Sequence, residues 1–340
     1  MSIRWPAEWE PHLGIWVAWP HNIEDWPDRF GPIPWVYGDF LSKLSRVEHV
    51  HIIAQKMTRP AALAILERFG VPPDRFTLHD YPTNRVWTRD FCPIWVEGAQ
   101  KPLAKKFHFN AWAKYENWQL DDAAGIQVAG EELSQPERNG RRIVLEGGGL
   151  EGNGRGTLLT TREWLLSDVQ VRNPGYTQQD YETLFAEHLG IRKTIWLNKG
   201  IVGDDTHGHI DDLARFVNEN TVLCVYEPDA GDDNHEATRE NVEILRSSTT
   251  AEGKSLDVIT LPMPEPILFD DQRLPASYAN FLIANDAVFV PTFNDPADRH
   301  ALGILAHCFP GREVVGIYCG DLVWGLGTLH CMTMQQPSPK

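Results

Sequence analysis

One pattern recurs along the chain: a short polar signature stands beside a strand-like apolar run. The signatures contain Asp90, Glu146, His209, Asn280 and Cys331, and successive ones lie roughly 60 residues apart, a spacing typical of repeat architectures. In such architectures each repeat is one supersecondary unit that stacks on its neighbours. The pattern therefore predicts five units that together account for most of the chain.

Each predicted unit also carries a segment with helical periodicity. Four of these segments are residues 60–69, 178–189, 235–247 and 296–308, where apolar side chains recur at the spacing of one helix face. The units are thus predicted to run strand, strand, helix, strand. An α/β protein with ordinary polar loops would show similar intervals, so the spacing alone leaves the arrangement of the units open.

The charge balance limits the partners. Against 31 Lys and Arg stand 47 Asp and Glu, a net charge of −16. Nucleic acids and anionic membranes require a basic face, so neither is expected as a partner. An acidic chain suits a small cationic partner, although acidity also serves solubility.

The chain carries no signature of export or membrane insertion. No run approaches the roughly 18 apolar residues of a membrane span, and the N-terminal segment lacks the apolar stretch of a signal peptide. Five scattered cysteines, an odd number, do not suggest a disulfide framework. We therefore expect a cytoplasmic protein.

Cys331 is the strongest nucleophile candidate. It follows a glycine-bearing segment, residues 325–330, which lets the backbone approach a ligand closely. A lone cysteine is otherwise a small buried side chain, and Cys224, Cys308 and Cys319 are interpreted in that way. For Cys92, close to Asp90, the sequence does not decide between a functional thiol and a small buried side chain.

The densest polar cluster is DDTHGHIDD at residues 204–212. On a strand, His207, His209 and Asp211 would point to one side, because side chains alternate. Two histidines and a carboxylate suit zinc or iron. Alternatively, His209 acts as a general acid and base while Asp211 binds a cation. A solvated turn is the third interpretation.

Two further carboxylates belong to signatures. Asp90, between Trp87 and Phe91, is either part of a surface ion pair with Arg89 or a carboxylate in an aromatic pocket. Glu146 begins a glycine run that is not a phosphate-binding loop. The chain also lacks the serine elbow of hydrolases.

Taken together and in order, these segments resemble the agmatine deiminases and their relatives, the bacterial-type peptidyl-arginine deiminase family. The matches run from residue 5 to residue 336 and cover nearly the whole chain. They are WPAEWEPH at 5–12, WPHN at 19–22, WTRD at 87–90, FNAW at 109–112, EGG at 146–148, DDTHGHID at 204–211, SYANF at 277–281 and HCMTMQQ at 330–336.

The resemblance implies a fold and an activity. The fold is a five-bladed α/β propeller of ββαβ units with pseudo-fivefold symmetry, forming a single catalytic domain over residues 1–340. The activity is hydrolysis of a guanidinium to a ureido group and ammonia, without a metal or other cofactor. Agmatine is the first choice of substrate, giving N-carbamoylputrescine for polyamine (putrescine) biosynthesis. The family also implies a homodimer.

Carried over by position, Cys331 is the nucleophile, His209 the acid and base, and Asp90 and Asp211 the carboxylates that bind the guanidinium. The chemistry is consistent: two carboxylates can hold the planar cation against the thiolate, and attack leaves a covalent thiouronium on the cysteine. The residues implied to bind the rest of the substrate are Trp87, Asp205, Asn280 and Glu146.

Three alternatives stay open. A deiminase of free or peptidyl arginine, or of another guanidine, would keep the mechanism; free arginine would require a cation facing the pocket, for which Arg89 and Arg215 are candidates. A metal-dependent hydrolase would use His207, His209 and Asp211. A non-catalytic binding protein is the third. The loops depart from the family, with RDFCP for RDTGP at 89–93, EGGG for EGGN at 146–149 and GLGTLHC for GGGNIHC at 325–331, and loops set specificity.

Overall fold

The computed structural model describes residues 3–98 and 102–339. Within these ranges the chain forms twenty strands and eight α-helices. The strands are β1 (His12–Ala18), β2 (Val50–Ile53), β3 (Phe76–His79), β4 (Ile94–Glu97), β5 (Pro102–Lys105), β6 (Leu133–Ser134), β7 (Glu137–Arg138), β8 (Arg141–Arg142), β9 (Glu151–Gly152), β10 (Thr157–Thr161), β11 (Lys193–Leu197), β12 (Ala214–Phe216), β13 (Thr221–Val225), β14 (Asp257–Leu261), β15 (Leu268–Phe269), β16 (Gln272–Arg273), β17 (Leu282–Ile283), β18 (Ala287–Thr292), β19 (Glu313–Tyr318) and β20 (Met334–Pro337). The helices are α1 (Ile33–Leu44), α2 (Arg59–Arg68), α3 (Thr88–Phe91), α4 (Gln119–Ala129), α5 (Arg162–Leu166), α6 (Gln178–Leu189), α7 (His235–Arg246) and α8 (Asp298–Cys308).

Most strands belong to mixed sheets that share one connectivity. In four sheets a strand pairs antiparallel with the strand before it and parallel with the strand after it. These are β4-β5-β6, β9-β10-β11, β12-β13-β14 and β17-β18-β19. An α-helix connects the parallel pair each time, as parallel strands require. The predicted α/β class is therefore confirmed, with mixed sheets.

The two ends of the chain meet in a further sheet of the same kind. Strand β20 pairs antiparallel with β1, and β1 pairs parallel with β2, which is followed by β3. Trp16 in β1 stands opposite Met334 in β20. Because Cys331 precedes β20 by only three residues, this pairing fixes the cysteine beside the N-terminal segment.

The local sequence explains the elements. Every residue of β13 is buried, as expected of an apolar strand covered on both faces. Helix α6 begins with a capping box between Thr177 and Asp180, and Gly190 ends it in the left-handed conformation. The four predicted helical segments correspond to α2, α6, α7 and α8.

The prediction that His207, His209 and Asp211 lie along a strand is wrong. His207 and Gly208 adopt φ values of 66° and 101°, and Ile210–Asp212 is a 3-10 helix. The cause is Asp204, whose Oδ2 accepts hydrogen bonds from the backbone N–H groups of Gly208 and His209, both at 2.8 Å. A side chain that caps the backbone in this way competes with strand pairing.

Two features concern the chain as a whole. None of the helices in the described ranges combines the length and apolar character that a membrane crossing requires. All five cysteines are free, four of them buried and Cys308 half-buried.

Candidate active site

Cys331 lies at the base of a cavity, in the turn that leads into β20. Its Sγ accepts a hydrogen bond from Nδ2 of Asn280 at 2.9 Å and lies 3.6 Å from Oδ2 of Asp211. Burial, together with the charge of Asp211 and its neighbours, holds the pKa of the thiol well above its usual value. The cysteine is thus a protonated thiol at neutral pH.

Asp211 presents one free carboxylate oxygen to the site. Its Oδ2 accepts a hydrogen bond from Nδ1 of His330 at 2.7 Å, whereas Oδ1 is buried and has no partner among the residues that the structure describes. Burial by itself raises the pKa of Asp211, but His330 outweighs it and lowers the pKa. Asp211 is therefore an ionised acceptor with one oxygen uncommitted.

His330 is held between two carboxylates. Its Nε2 lies 2.8 Å from Oε2 of Glu8, and Glu8 also accepts from Nη2 of Arg215 at 2.8 Å. Although burial raises the pKa of Glu8, the charges of Arg215 and His330 lower it further than burial raises it. His330 therefore contacts a buried carboxylate through each of its two ring nitrogens. The sequence motifs contained Glu8 and His330 but gave neither a role.

Asp90 is a buried carboxylate in an aromatic setting, and not half of a surface ion pair. Its Oδ2 accepts from Nε1 of Trp112 at 2.9 Å and its Oδ1 from the backbone N–H of Gly148 at 3.0 Å. Burial raises the pKa of Asp90 to about 6, against the opposing charge of His209. Arg89 turns away and donates to Gln335 at 2.7 Å.

His209 lies between two carboxylates without a hydrogen bond to either. Its Nδ1 is 3.8 Å from Oδ1 of Asp90, and its Nε2 is 3.7 Å from Oε2 of Glu146. Neither ring nitrogen has a hydrogen-bond partner within residues 3–98 and 102–339. Burial by itself lowers the pKa of His209, but Asp90 and Glu146 raise it to about 9. The imidazolium form therefore persists at neutral pH, with its N–H groups available.

Glu146 lies behind His209, away from the residues that line the cavity. It accepts hydrogen bonds from Nε1 of Trp164 at 2.7 Å and from Nε of Arg172 at 3.0 Å. Burial raises the pKa of Glu146, but the charge of Arg172 and the contact with His209 lower it to about 2. Its predicted contact with substrate stays a prediction.

Gly148 leaves the space in which these side chains approach one another. A Cβ atom at this position would lie 2.6 Å from Nδ1 of His209, 2.8 Å from Oδ1 of Asp90 and 3.2 Å from Oδ2 of Asp211. Asp90 is far in the sequence from His209 and Asp211, so only the fold brings it to them. A side chain larger than hydrogen would push them apart.

The cavity above Cys331 has a volume of about 400 Å³. Four of the predicted site residues line it: Trp87, Asp90, Asp205 and Cys331. Asn280 is not among the lining residues and acts through its hydrogen bond to the cysteine. The walls are aromatic and acidic, a suitable environment for an organic cation.

The cations near the cavity are already engaged. Arg85, a lining residue, donates to Asn117 and Asp121. Lys114 forms an ion pair with Asp205. Arg215 is fully buried against Glu8 and Glu151, so neither it nor Arg89 faces the cavity.

The alternative interpretation of His207, His209 and Asp211 as a metal cluster is not supported in the described part of the chain, where these three residues do not gather their ligand atoms. Nε2 of His207 lies 3.0 Å from Oγ of Ser167, and the left-handed turn separates it from the other two. In the described part of the chain, the ligand-type atoms that gather within 4.8 Å of one another belong to Asp211, Asp212 and Cys331. Asp212, which accepts from Nδ2 of Asn280 at 2.9 Å, was missed because its pattern resembled a solvated turn.

Comparison with known proteins defines first the class of protein: a hydrolase that modifies guanidines. The chain belongs to the Porphyromonas-type peptidyl-arginine deiminase family, whose model matches residues 4–337. The family expected from the sequence motifs is thereby confirmed.

Relatives match over nearly their whole length. The chain is 32% identical to the agmatine deiminase of Stutzerimonas stutzeri (strain A1501), over 98% of this chain and 95% of that protein. Among solved structures, the agmatine deiminase of Enterococcus faecalis superimposes with a TM-score of 0.91 at 28% identity, over 99% of this chain and 96% of that one. A cysteine-to-serine variant of the C. jejuni agmatine deiminase with substrate bound gives 0.89 at 27% identity, over 99% and 96%.

Proposed function

We propose that this chain hydrolyses agmatine to N-carbamoylputrescine and ammonia through a covalent intermediate on Cys331. The observation that carries the proposal is that Asp90 and Cys331 line one acidic cavity, while His209 and Asp211 lie directly beside them around Gly148 without lining it. The named activities of the relatives in Stutzerimonas stutzeri and Enterococcus faecalis support it.

The charges around the cavity favour agmatine over free arginine. Agmatine carries a guanidinium and an ammonium, whereas arginine adds a carboxylate that would need a cationic partner. Arg85 and Lys114 already hold partners, and Arg89 and Arg215 face elsewhere. An α-carboxylate would therefore enter an acidic cavity without compensation, at a cost of several kcal/mol.

In the first half of the proposed reaction, Asp90 and Asp211 hold the guanidinium with its carbon facing Sγ of Cys331. The bound cation lowers the pKa of the thiol, which releases its proton to solvent, where it ends on the departed ammonia as ammonium, and the thiolate attacks the carbon. His209, as imidazolium, donates a proton to the leaving nitrogen. The carbon–nitrogen bond breaks, ammonia departs and a thiouronium stays on the cysteine.

In the second half, His209 is neutral and accepts a proton from water. The hydroxide adds to the thiouronium carbon, and collapse of the adduct breaks the carbon–sulfur bond. The ureido product leaves, its surplus proton returns to the thiolate, and His209 is again an imidazolium. Asn280, by donating to Sγ at 2.9 Å, orients the sulfur in both halves and stabilises its thiolate form.

The fold supports a propeller as the finer arrangement. We propose that the four three-stranded mixed sheets and the sheet of β1, β2, β3 and β20 are five ββαβ blades around a pseudo-fivefold axis. The pairing of β20 with β1 would close the ring, and the axis would pass near Gly148. The ring would be one catalytic domain over residues 1–340.

Two features of the setting stay predictions. One is a homodimer, which the family implies, and the other is a cytoplasmic location, which the sequence composition predicts. The small cationic substrate is the partner that the site supports, with no role for nucleic acid or membrane.

The experiment is to incubate the purified protein with agmatine, with arginine and with a blocked arginyl peptide, and to measure ureido product and ammonia. We expect product from agmatine, resistant to EDTA and lost in Cys331→Ala. The matched control is Cys308→Ala, a half-buried cysteine at the end of α8. Product from arginine or the peptide instead would reject agmatine, and activity that survives Cys331→Ala would reject the mechanism.

A further inference from the structure

The cavity contains three carboxylates that the proposed chemistry does not use. They belong to Glu24, Asp25 and Asp205. Agmatine also carries a charge that the chemistry does not use: the ammonium, four methylene groups from the guanidinium. A charge of this kind in an aromatic cavity needs a carboxylate partner.

Asp205 is already engaged on both oxygens. Nζ of Lys114 forms an ion pair with its Oδ1, and the hydroxyl of Tyr115 donates to its Oδ2 at 2.8 Å. Glu24 is exposed, so an ion pair there would be screened by water and worth little. Neither carboxylate is built to take a second cation.

Asp25 is different because one of its oxygens lacks a partner. Nδ2 of Asn22 donates to its Oδ1 at 3.0 Å. Its Oδ2 is buried and finds no hydrogen-bond partner anywhere in the described ranges. The nearby guanidinium of Arg85 does not pair with it, because that group is bonded to Asn117 and Asp121.

The pKa of Asp25 reflects its burial and its missing partner. Burial raises the pKa of its carboxyl to about 7, against the opposing charge of Arg85. A buried carboxylate without a counter-ion is destabilised, and a cation that neutralises it gains the energy that burial had cost. The same reasoning explains why a neutral substrate tail would gain nothing here.

We propose that Asp25 binds the distal ammonium of the substrate and thereby determines the choice of agmatine over guanidines without a second cation. This assignment rests on the proposed function and adds to it the recognition of the substrate's far end. Asp25 is the last residue of a 3-10 helix, Ile23–Asp25, in the connection between β1 and α1, far in sequence from the groups that bind the guanidinium.

The test compares two substrates of equal length. Agmatine ends in an ammonium, and n-pentylguanidine ends in a methyl group at the same place. In Asp25→Asn we expect kcat/KM for agmatine to fall about 10- to 100-fold, mainly through KM, as for the loss of one charge-assisted hydrogen bond. For n-pentylguanidine we expect kcat/KM to stay within about twofold.

Three other variants serve as controls for the comparison of the two substrates. Asp28→Asn makes the same substitution in the same loop at an exposed residue outside the cavity, and we expect it to resemble the wild type. Glu24→Gln and Asp205→Asn test the rival carboxylates. If Asp25→Asn does not fold, Asp25→Ser, which is smaller, carries the same expectation.

The outcomes separate the two proposals. If the selective loss on agmatine occurs in Asp205→Asn or Glu24→Gln and not in Asp25→Asn, the assignment to Asp25 is overturned while the proposed function stands. An equal loss on both substrates would also overturn it, since that indicates a structural role. A wild type that hydrolyses neither substrate overturns the proposed function, and with it this assignment.

Discussion

The Nδ1 atom of His330 lies 2.7 Å from Oδ2 of Asp211, so the residue next to the candidate nucleophile keeps a carboxylate of the site ionised. The other ring nitrogen of His330 contacts Glu8 at 2.8 Å. The N-terminal segment is thereby connected to the catalytic residues through the ring of His330.

Replacing His330 by alanine should destabilise the protein strongly. Both Asp211 and Glu8 would lose a partner while buried, and removing one partner of a buried charged group costs about 3–5 kcal/mol. Urea unfolding measures the change. His300→Ala, at an exposed position on α8, should stay within about 0.5 kcal/mol of the wild type. An equal, small effect in both variants would contradict the bridging role.

The pH dependence of kcat/KM should be bell-shaped. Asp90 must be ionised to bind the guanidinium, so activity should fall as the pH drops through its pKa of about 6. His209 must be protonated to donate to the leaving nitrogen, so activity should also fall as the pH rises through its pKa of about 9. Both limbs report the free enzyme. A value of kcat/KM that keeps rising beyond pH 9 would show that His209 is not the proton donor.

Gly148→Ala should reduce activity far more than stability. The added Cβ would meet Nδ1 of His209 at 2.6 Å and Oδ1 of Asp90 at 2.8 Å, and a misplacement of this order costs about 100-fold in rate. Steady-state kinetics and thermal unfolding distinguish the two effects. The control is Gly303→Ala on α8, where the new Cβ meets nothing within 4 Å. An unchanged kcat/KM in Gly148→Ala would show that the added Cβ atom does not displace His209 and Asp90.

Trp112→Phe should weaken substrate binding and move the acid limb. The indole N–H donates to Oδ2 of Asp90 at 2.9 Å and lowers the pKa of that carboxyl. Its loss should therefore shift the acid limb of kcat/KM to higher pH and reduce kcat/KM about 10-fold at neutral pH. The pH profile is the measurement, and Trp35→Phe, an exposed position on α1, is the control. An acid limb at the same pH in Trp112→Phe and the wild type would show that Trp112 does not lower the pKa of Asp90.

Some elements could be read directly from local sequence. The helix at 178–189 was predictable because its capping and periodicity are local properties. The order of strand, strand, helix and strand within a unit was also predicted, but the pairing of the strands in mixed sheets was not. At 204–212 the sequence left a strand and a turn open, because the capping of the backbone by Asp204 is visible only in the folded chain.

The residues of the site also fall into those that the sequence indicated and those that only the structure revealed. Motifs singled out Cys331, His209, Asp90 and Asp211 by residue type and order. Glu8, His330, Trp112 and Asp25 were left without roles, because nothing local distinguishes them. Their roles depend on contacts with residues 20 to more than 300 positions away, or on the lack of such a contact.

The sequence by itself determined the family, the alternation of strands and helices and the kinds of groups available for chemistry, because periodicity, capping and motif order are written in neighbouring residues. Only the tertiary structure decided which groups meet, how far each is buried and therefore how each is protonated. Cys331 and Asp211 lie 3.6 Å apart only because distant segments are packed together. Burial then shifts their pKa values, since removing water penalises charge unless a partner such as His330 compensates.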